Sequence, residues 1–308
     1  MSTNIHARVT QETERENGTD GIVRLNLLDD SRRVTHQLRL STIRSFPNVF
    51  NFILAVLGVT ILLLIYYGII PTHEQGFFCR DPLFSHKYQG NTVTPLFLAF
   101  GILFLIALVL TTQHCIRKGA RAIVTWEFIY ENYYLAKYFV LGVVLVGAIT
   151  EIAKSIIGEH RPDFFDVCKP DTSVNCTEGV YIYTFTCTNN EFGTMDLVDA
   201  SRSFPSGHSS IAWFIAIYCA YIIQVRLPVK TTGSFFKIFM IVVCVSWGSL
   251  CSLTRITDRR HHWWDVLFGT VIGILGAMYV IVVTENKYKE VMTETVTRER
   301  SRTDFCDA

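Results

Sequence analysis

The chain has 308 residues, of which 50% are hydrophobic and 18% charged, and its formal net charge is +1. A soluble domain carries roughly 25% charged residues, and here the charges are clustered between long apolar runs. This pattern is typical of a membrane protein rather than a soluble one, and the near-zero net charge gives no indication of nucleic-acid binding.

Apolar runs long enough to cross a bilayer recur along the chain, since a spanning helix needs about 20 mostly apolar residues. Six runs meet this length, at residues 49–70, 95–112, 133–153, 209–225, 235–253 and 264–283. The third contains Lys137 and Glu151 near its two ends. We therefore predict an all-α integral membrane protein, with a six-helix domain over 47–285 between two flexible tails, 1–46 and 286–308.

Lysine and arginine in the loops predict the orientation. They are concentrated in both tails and in the loops after the second and fourth spans, as at Arg117 and Arg226. With six spans these segments share one side, so both termini are expected in the cytosol. Three loops, 71–94, 154–208 and 254–263, then lie on the non-cytosolic side. These loops also contain basic residues, which therefore need another role.

The non-cytosolic loops contain features of the secretory route. Asn175-Cys176-Thr177 is an N-glycosylation sequon, whereas Asn17-Gly18-Thr19 lies in a tail assigned to the cytosol. The two sequons give opposite predictions for the topology. Four cysteines lie in these loops, namely Cys79, Cys168, Cys176 and Cys187. They allow three disulfide pairings, and the sequence does not choose among these pairings. The extreme N-terminus contains no apolar stretch, so we do not expect a cleaved signal peptide.

Two polar clusters flank the longest of these loops. Lys154 and Arg161 follow the third span, where snorkelling of basic side chains to lipid headgroups is an equally good interpretation. Ser206 and Gly207 immediately precede the fourth span. A helix N-terminus presents free N–H groups and a partial positive charge, which suits an anion. Glycine permits close approach, although Ser206 alone is better explained as an ordinary N-cap.

A third cluster enters the sixth span. It contains Arg255 and, four residues apart, His261 and Asp265. On a helix this spacing places the imidazole and the carboxylate on one face, where the carboxylate fixes the tautomer and raises the basicity. His262 is an alternative partner for Asp265, and a salt-bridged interfacial stretch with a tryptophan belt is an alternative interpretation of the whole cluster.

The predicted topology brings the three clusters to one membrane face. Lys154, Arg161 and Arg255 would repel each other unless an anion joined them, and a phosphate with about two negative charges fits. One histidine held by a carboxylate can attack phosphorus, and a second, His208, can protonate the leaving oxygen. Neither a carboxylate cluster nor histidine-rich metal spacing is present in the sequence, so we predict phosphoryl transfer without a metal or cofactor.

The patterns Lys154-x6-Arg161-Pro162, Pro205-Ser206-Gly207-His208 and Arg255-x5-His261-x3-Asp265 resemble the three signature motifs of the type 2 phosphatidic acid phosphatase superfamily. The resemblance covers about 45–285 and is strongest to the animal lipid phosphate phosphatases, including the insect Wunen-type proteins. It implies the six-helix, haloperoxidase-like core with an outward-facing site. One departure is visible, because Thr254 stands where the family usually has serine.

The resemblance also implies Mg²⁺-independent hydrolysis through a phosphohistidine. His261 resembles the nucleophile, Asp265 its partner and His208 the general acid, and the family spacing selects His261 over His262. The residues that resemble the phosphate-binding set are Lys154, Arg161, Ser206, Gly207 and Arg255. Family substrates are phosphatidate, lysophosphatidate, sphingosine 1-phosphate and ceramide 1-phosphate, and the sequence does not choose among them.

Two other functions are weighed against this one. A non-enzymatic lipid-phosphate binder or scaffold would suit the tails, but His208, His261 and Asp265 are all present. A transporter is suggested only by six spans, and none has a charge at its midplane. The sequon and the resemblance predict the plasma membrane. The resemblance also suggests a homo-oligomer, which nothing in the spans establishes.

Overall fold

The computed structural model describes residues 73–118, 126–227 and 229–306, together with positions 56, 59–60, 63–65, 67 and 69. The predicted N-terminal tail and most of the first predicted span lie outside these residues. Within the unit Val59–Ala308, the helices are α1 (Pro95–Lys118), α2 (Trp126–Ile157), α3 (Phe164–Cys168), α4 (Thr194–Asp199), α5 (Gly207–Arg226), α6 (Val229–Thr232), α7 (Ser234–Thr257) and α8 (Trp263–Cys306).

Four helical segments are long and apolar enough to cross a membrane, at Leu135–Ile157, Gly207–Val225, Ser234–Thr257 and Trp263–Asn286. They correspond to the third to sixth predicted spans, and the protein is a multi-pass membrane protein. The second predicted span falls on α1, in which the part of the chain that the structure describes shows an apolar helix over Pro95–Ala107. Because the first span lies mostly outside the described residues, the predicted count of six is not confirmed.

The last helix is longer than its membrane segment. Helix α8 continues to Cys306, into the segment 286–308 that was predicted as a flexible tail. Glutamate, lysine and arginine are frequent there, and these residues have high helix propensity. Propensity together with the preceding apolar turns is sufficient to extend the helix beyond the bilayer-length segment.

Helix α5 lies at the centre of the bundle and packs against α1, α2, α7 and α8. Its buried face includes Phe214, Ile215 and Tyr218. Two glycines allow helix α8 to approach α5 closely. A Cβ on Gly269 would lie 2.5 Å from the carbonyl oxygen of Ser206, and a Cβ on Gly273 would lie 2.2 Å from that of Ser210. Small residues permit this backbone contact between membrane helices, and it brings the start of α8 to the start of α5.

A cap of residues 73–94 and 158–206 covers the end of the bundle where α2 ends and α5 begins. In it, β1 (Phe77–Phe78) pairs antiparallel with β2 (Tyr181–Ile182). Short 3₁₀ turns, Pro82–Phe84 and Asp171–Ser173, and helices α3 and α4 complete the cap. Its aromatic core includes Phe77 and Phe164. Disulfides join Cys79 to Cys176 and Cys168 to Cys187, which is the pairing that the sequence left open.

Candidate active site

The N-terminus of α5 forms the floor of the candidate site. Ser206 is the N-cap, and its side chain is fully buried without capping the helix. Its Oγ instead accepts a hydrogen bond from Ser209 Oγ at 3.1 Å, so its own hydroxyl proton is available to a ligand. Gly207, His208 and Ser209 are in the first turn, where backbone N–H groups have no intrahelical acceptor. This floor therefore offers several donors to an anion.

Lys154 is in the last turn of α2 and lies above this floor. The helix ends at Gly158, whose φ of +64° needs a residue without Cβ, since a Cβ there would lie 1.9 Å from the carbonyl oxygen of His73. A Cβ built on Gly207 would lie 3.5 Å from Lys154 Nζ. Glycine at 207 thus leaves open the space between the ammonium and the helix N-terminus.

Each of the three predicted phosphate-binding cations has its own carboxylate partner, and the motif patterns include none of these carboxylates. Lys154 Nζ lies 2.9 Å from Glu151 Oε1, Arg161 Nη2 lies 2.7 Å from Asp199 Oδ2, and Arg255 Nη2 lies 2.8 Å from Asp258 Oδ2. Carboxylates of the protein therefore already offset part of the charge of each cation before a phosphate binds. Sequence separation concealed Asp199 in particular, which is 38 residues after Arg161.

Residues far from the motifs fix two of these groups. Arg255 Nη1 donates to Asn91 Oδ1 at 2.9 Å, and Asp258 accepts from both the backbone N–H and the hydroxyl of Thr92. Arg202 is buried and donates to Glu151 Oε2 at 2.5 Å. In this structure Arg202 therefore supports the partner of Lys154.

The two histidines of the candidate site, His261 and His208, lie beside these cations. His261 Nδ1 is 3.5 Å from Asp265 Oδ2, the oxygen that also accepts from Ser203 Oγ at 2.5 Å and from the His262 N–H at 2.9 Å. Burial lowers the pKa of His261 well below its usual range, and the charges of Arg161, Lys154, His208 and Arg255 lower it further. His261 is therefore neutral at physiological pH, which is the nucleophilic form of imidazole.

The second histidine, His208, is in the first turn of α5. Its Nε2 is buried and has no hydrogen-bond partner among the described residues. Buried polar atoms are normally paired, so this nitrogen is available to a ligand at the site. Sequence reasoning placed His208 here but did not identify Ser203, whose hydroxyl touches both His261 and Asp265.

His262, the alternative to His261, has a different environment. Its Nε2 lies 3.2 Å from the carbonyl oxygen of His160 in the cap, and its ring stacks on Trp264 with centroids 4.5 Å apart. Both contacts direct this imidazole toward the cap. Asp265 accepts a hydrogen bond from the backbone N–H of His262 and not from its ring. The carboxylate therefore orients the ring of His261 but only the backbone of His262.

Asn175 is exposed on the cap, next to the Cys79–Cys176 disulfide. Its exposure makes the sequon accessible. Among the residues that the structure describes, no three or more histidine, cysteine, aspartate or glutamate side chains are grouped as metal ligands.

Comparison with known proteins gives one family. A family model described as the PAP2 superfamily matches residues 135–289. A Caenorhabditis elegans protein named phospholipid phosphatase homolog 1.2 homolog is 32% identical over 82% of this chain and 76% of its own length. Phospholipid phosphatase 2 of Rattus norvegicus is 30% identical over 77% of this chain and 86% of its own length.

A Drosophila melanogaster relative is 30% identical over 74% of this chain, and the match spans 65% of that protein's length. No solved structure matches the chain significantly.

Proposed function

Because the chain belongs to the PAP2 superfamily, as its three motifs predicted, we propose that it is a lipid phosphate phosphatase. It hydrolyses phosphate monoesters of lipids through a phosphohistidine, without a metal or other cofactor. The observation that carries the proposal is the meeting of a carboxylate-backed histidine and an unpaired histidine with three cations at the N-terminus of α5. Phospholipid phosphatases among its relatives support phosphatase chemistry.

Binding of the phosphate is the first step. Lys154, Arg161 and Arg255 neutralise its charge, and Ser206 Oγ with the backbone N–H groups of Gly207 and its neighbours donates to the equatorial oxygens. Such preorganised donors stabilise the charge that phosphoryl transfer spreads over these oxygens. The lipid chains stay in the bilayer, since only the headgroup needs to reach the helix end.

His261 then attacks phosphorus through Nε2, while Nδ1–H faces Asp265. The new N–P bond forms as the bond from phosphorus to the lipid oxygen breaks. The negative charge of the bound phosphate offsets the neighbouring cations, so that His208 is protonated on Nε2 in the substrate complex. It gives that proton to the departing oxygen, so that a lipid alcohol leaves and a phosphohistidine remains. Asp265 stabilises the positive charge that develops on the ring of His261.

Water completes the cycle. His208, now neutral, accepts a proton from a water molecule that attacks the phosphohistidine from the side vacated by the alcohol. The N–P bond breaks, inorganic phosphate leaves, and neutral His261 is restored with His208 again protonated. Each proton and bonding pair is accounted for by these two imidazoles and one water.

The proposed setting follows from the topology expected from the loop charges. Both termini lie in the cytosol, and the site opens to the extracellular or lumenal face of the plasma membrane, where Asn175 is glycosylated. The substrates are membrane lipid phosphates such as phosphatidate, lysophosphatidate, sphingosine 1-phosphate and ceramide 1-phosphate. The enzyme thereby acts in phospholipid metabolism and lipid signalling, as a monomer or a homo-oligomer.

Phosphate release from lysophosphatidate by the purified protein in detergent, with EDTA present, tests the proposal. We expect release by the wild type and none by His261→Ala, with both proteins showing the same thermal unfolding midpoint. Release by both would remove His261 as nucleophile. A folded wild type that releases phosphate from none of the four lipid phosphates, but binds them, would favour a lipid-phosphate binder.

A further inference from the structure

We propose that Asp199 is a positioning residue for the phosphate site, which orients Arg161 and, through Arg260, the segment that ends at His261. This inference rests on the proposed function and assigns a role to a residue outside the three motifs. Asp199 ends the short helix α4 in the cap, so the cap would take part in building the site.

Asp199 holds Arg161 at two points. Its backbone carbonyl accepts a hydrogen bond from Arg161 Nε at 2.8 Å, and its Oδ2 forms an ion pair with Arg161 Nη2 at 2.7 Å. The backbone is fixed as well, since the Arg161 N–H donates to the carbonyl of Ala200 at 2.9 Å. Within the described residues no hydrogen bond to Arg161 Nη1 is found. One edge of the planar guanidinium is therefore held by Asp199, and the remaining nitrogen is available for a phosphate oxygen.

The same carboxylate oxygen reaches the third motif. Asp199 Oδ2 lies 3.2 Å from Arg260 Nη2, and Arg260 Nη1 lies 2.9 Å from Asp163 Oδ2. Arg260 directly precedes His261, and the backbone N–H groups of both donate to the carbonyl of Arg255. Holding Arg260 thus restrains the turn that presents the histidine.

Burial and charge distinguish this contact from an ordinary surface ion pair. The side chains of Arg161 and Arg260 are each 6% exposed, whereas that of Asp199 is 38% exposed. Desolvation raises the pKa of the Asp199 carboxyl, but the combined attraction of Arg161, Lys154, Arg260 and Arg202 outweighs it, and the net pKa lies below the usual value. The carboxylate is therefore charged at neutral pH, and it compensates two buried cations at once.

Asp163 provides a matched control, because it contacts Arg260 but makes no ion pair with Arg161 in the described structure. Asp199→Asn and Asp163→Asn each replace one carboxylate by an amide of the same shape. If Asp199 acts through Arg161, Asp199→Asn lowers kcat/KM by on the order of tenfold to a hundredfold, as for other hydrogen bonds to charged groups. Asp163→Asn breaks only the ion pair with Arg260, so it measures the part of the effect that runs through Arg260, and its loss of kcat/KM should be smaller than that of Asp199→Asn. Equal losses in the two variants would overturn the proposal.

A double-mutant cycle with Arg161→Lys tests the route. Residues that act as one unit give non-additive effects, so the loss of kcat/KM from Asp199→Asn should be smaller when Arg161 is already lysine, and the remaining loss runs through Arg260. Full additivity would refute action through Arg161. Asp199→Glu keeps the charge, and partial recovery of kcat/KM relative to Asp199→Asn is expected. Thermal unfolding midpoints of all variants separate these effects from loss of fold.

Binding of orthovanadate or inorganic phosphate separates this inference from the proposed function. Ligand binding raises the unfolding midpoint independently of turnover. If the wild type does not hydrolyse any lipid phosphate but is stabilised by vanadate, and Asp199→Asn weakens that stabilisation, the proposed function fails and the positioning role stands. Unchanged vanadate binding by Asp199→Asn overturns the role, and a wild type that neither binds nor hydrolyses overturns both.

Discussion

Nδ1 of His261 lies 3.5 Å from Oδ2 of Asp265, and that one oxygen also accepts from Ser203 Oγ and the His262 N–H. The carboxylate is fully buried. Its two other hydrogen bonds fix its plane, so the orientation of the imidazole depends on the cap residue Ser203 as well as on the turn that presents His261 to Asp265. The pair is a rigid unit rather than a surface ion pair.

Asp265→Asn should lower kcat by about 10²- to 10⁴-fold, the range found when the carboxylate behind a catalytic histidine is made neutral. The amide oxygen can still accept from Ser203 and His262, so the fold should persist. Vanadate affinity should change little, because Asp265 does not contact the phosphate in the proposed mechanism. Steady-state kinetics with a vanadate inhibition series measures both quantities, and an unchanged kcat would remove the assigned role.

His262→Gln should retain activity within about tenfold of the wild type, whereas His261→Gln should lose at least about 10³-fold. The His262 ring contacts the His160 carbonyl and Trp264, so its loss affects packing and not the nucleophile. Rapid acid or base quenching with ³²P-labelled lysophosphatidate would trap the phosphohistidine. Label on the His261→Gln protein would contradict the assignment.

Glu159 should make stability depend on pH near neutrality. Burial and the charge of Asp265 raise its pKa from 4.5 to about 7, and Trp264 Nε1 donates to its Oε1 at 2.8 Å. The folded protein therefore binds an extra proton between these two values. The contribution of protonated Glu159 to the free energy of unfolding is fully present below about pH 4.5 and is lost as the pH rises through about 7.

Glu159→Gln keeps the acceptor for Trp264 and removes the titration. Relative to this variant, the wild type should become less stable as the pH rises from 5 to 8, measured as the difference between their thermal unfolding midpoints in detergent. The difference should level off above about pH 8. A difference that is constant across this range would show that Glu159 does not titrate there.

Asn175→Gln should abolish a glycosidase-sensitive shift in gel mobility of the protein expressed in animal cells, while Asn17→Gln should leave it unchanged. Asn175 is exposed on the cap, and the proposed topology places the cap outside the cytosol. Glycosylation is confined to that side, so the experiment reports orientation directly. The opposite pattern would invert the topology and place the site in the cytosol.

Several features follow from the sequence because they depend on local pattern. Apolar runs predicted the four membrane-length helices from Leu135 to Asn286, because the bilayer imposes a fixed length on each. The three motifs predicted the family. Spacing of four residues predicted the contact between His261 and Asp265, but helix geometry is not its cause, because α8 begins at Trp263 and His261 lies in the turn before it.

Only the tertiary structure supplied the groups that hold those residues in place. Ser203, Asp199, Asn91 and the disulfide pairing depend on how the cap folds over the end of α5, and no periodicity records contacts over such separations. His262 and His261 are adjacent in sequence and chemically identical, yet they face different surroundings because the turn before α8 directs one ring toward the cap and the other toward Asp265. The sequence by itself therefore determined the chemistry available, and the packing of cap on helix ends decided its geometry.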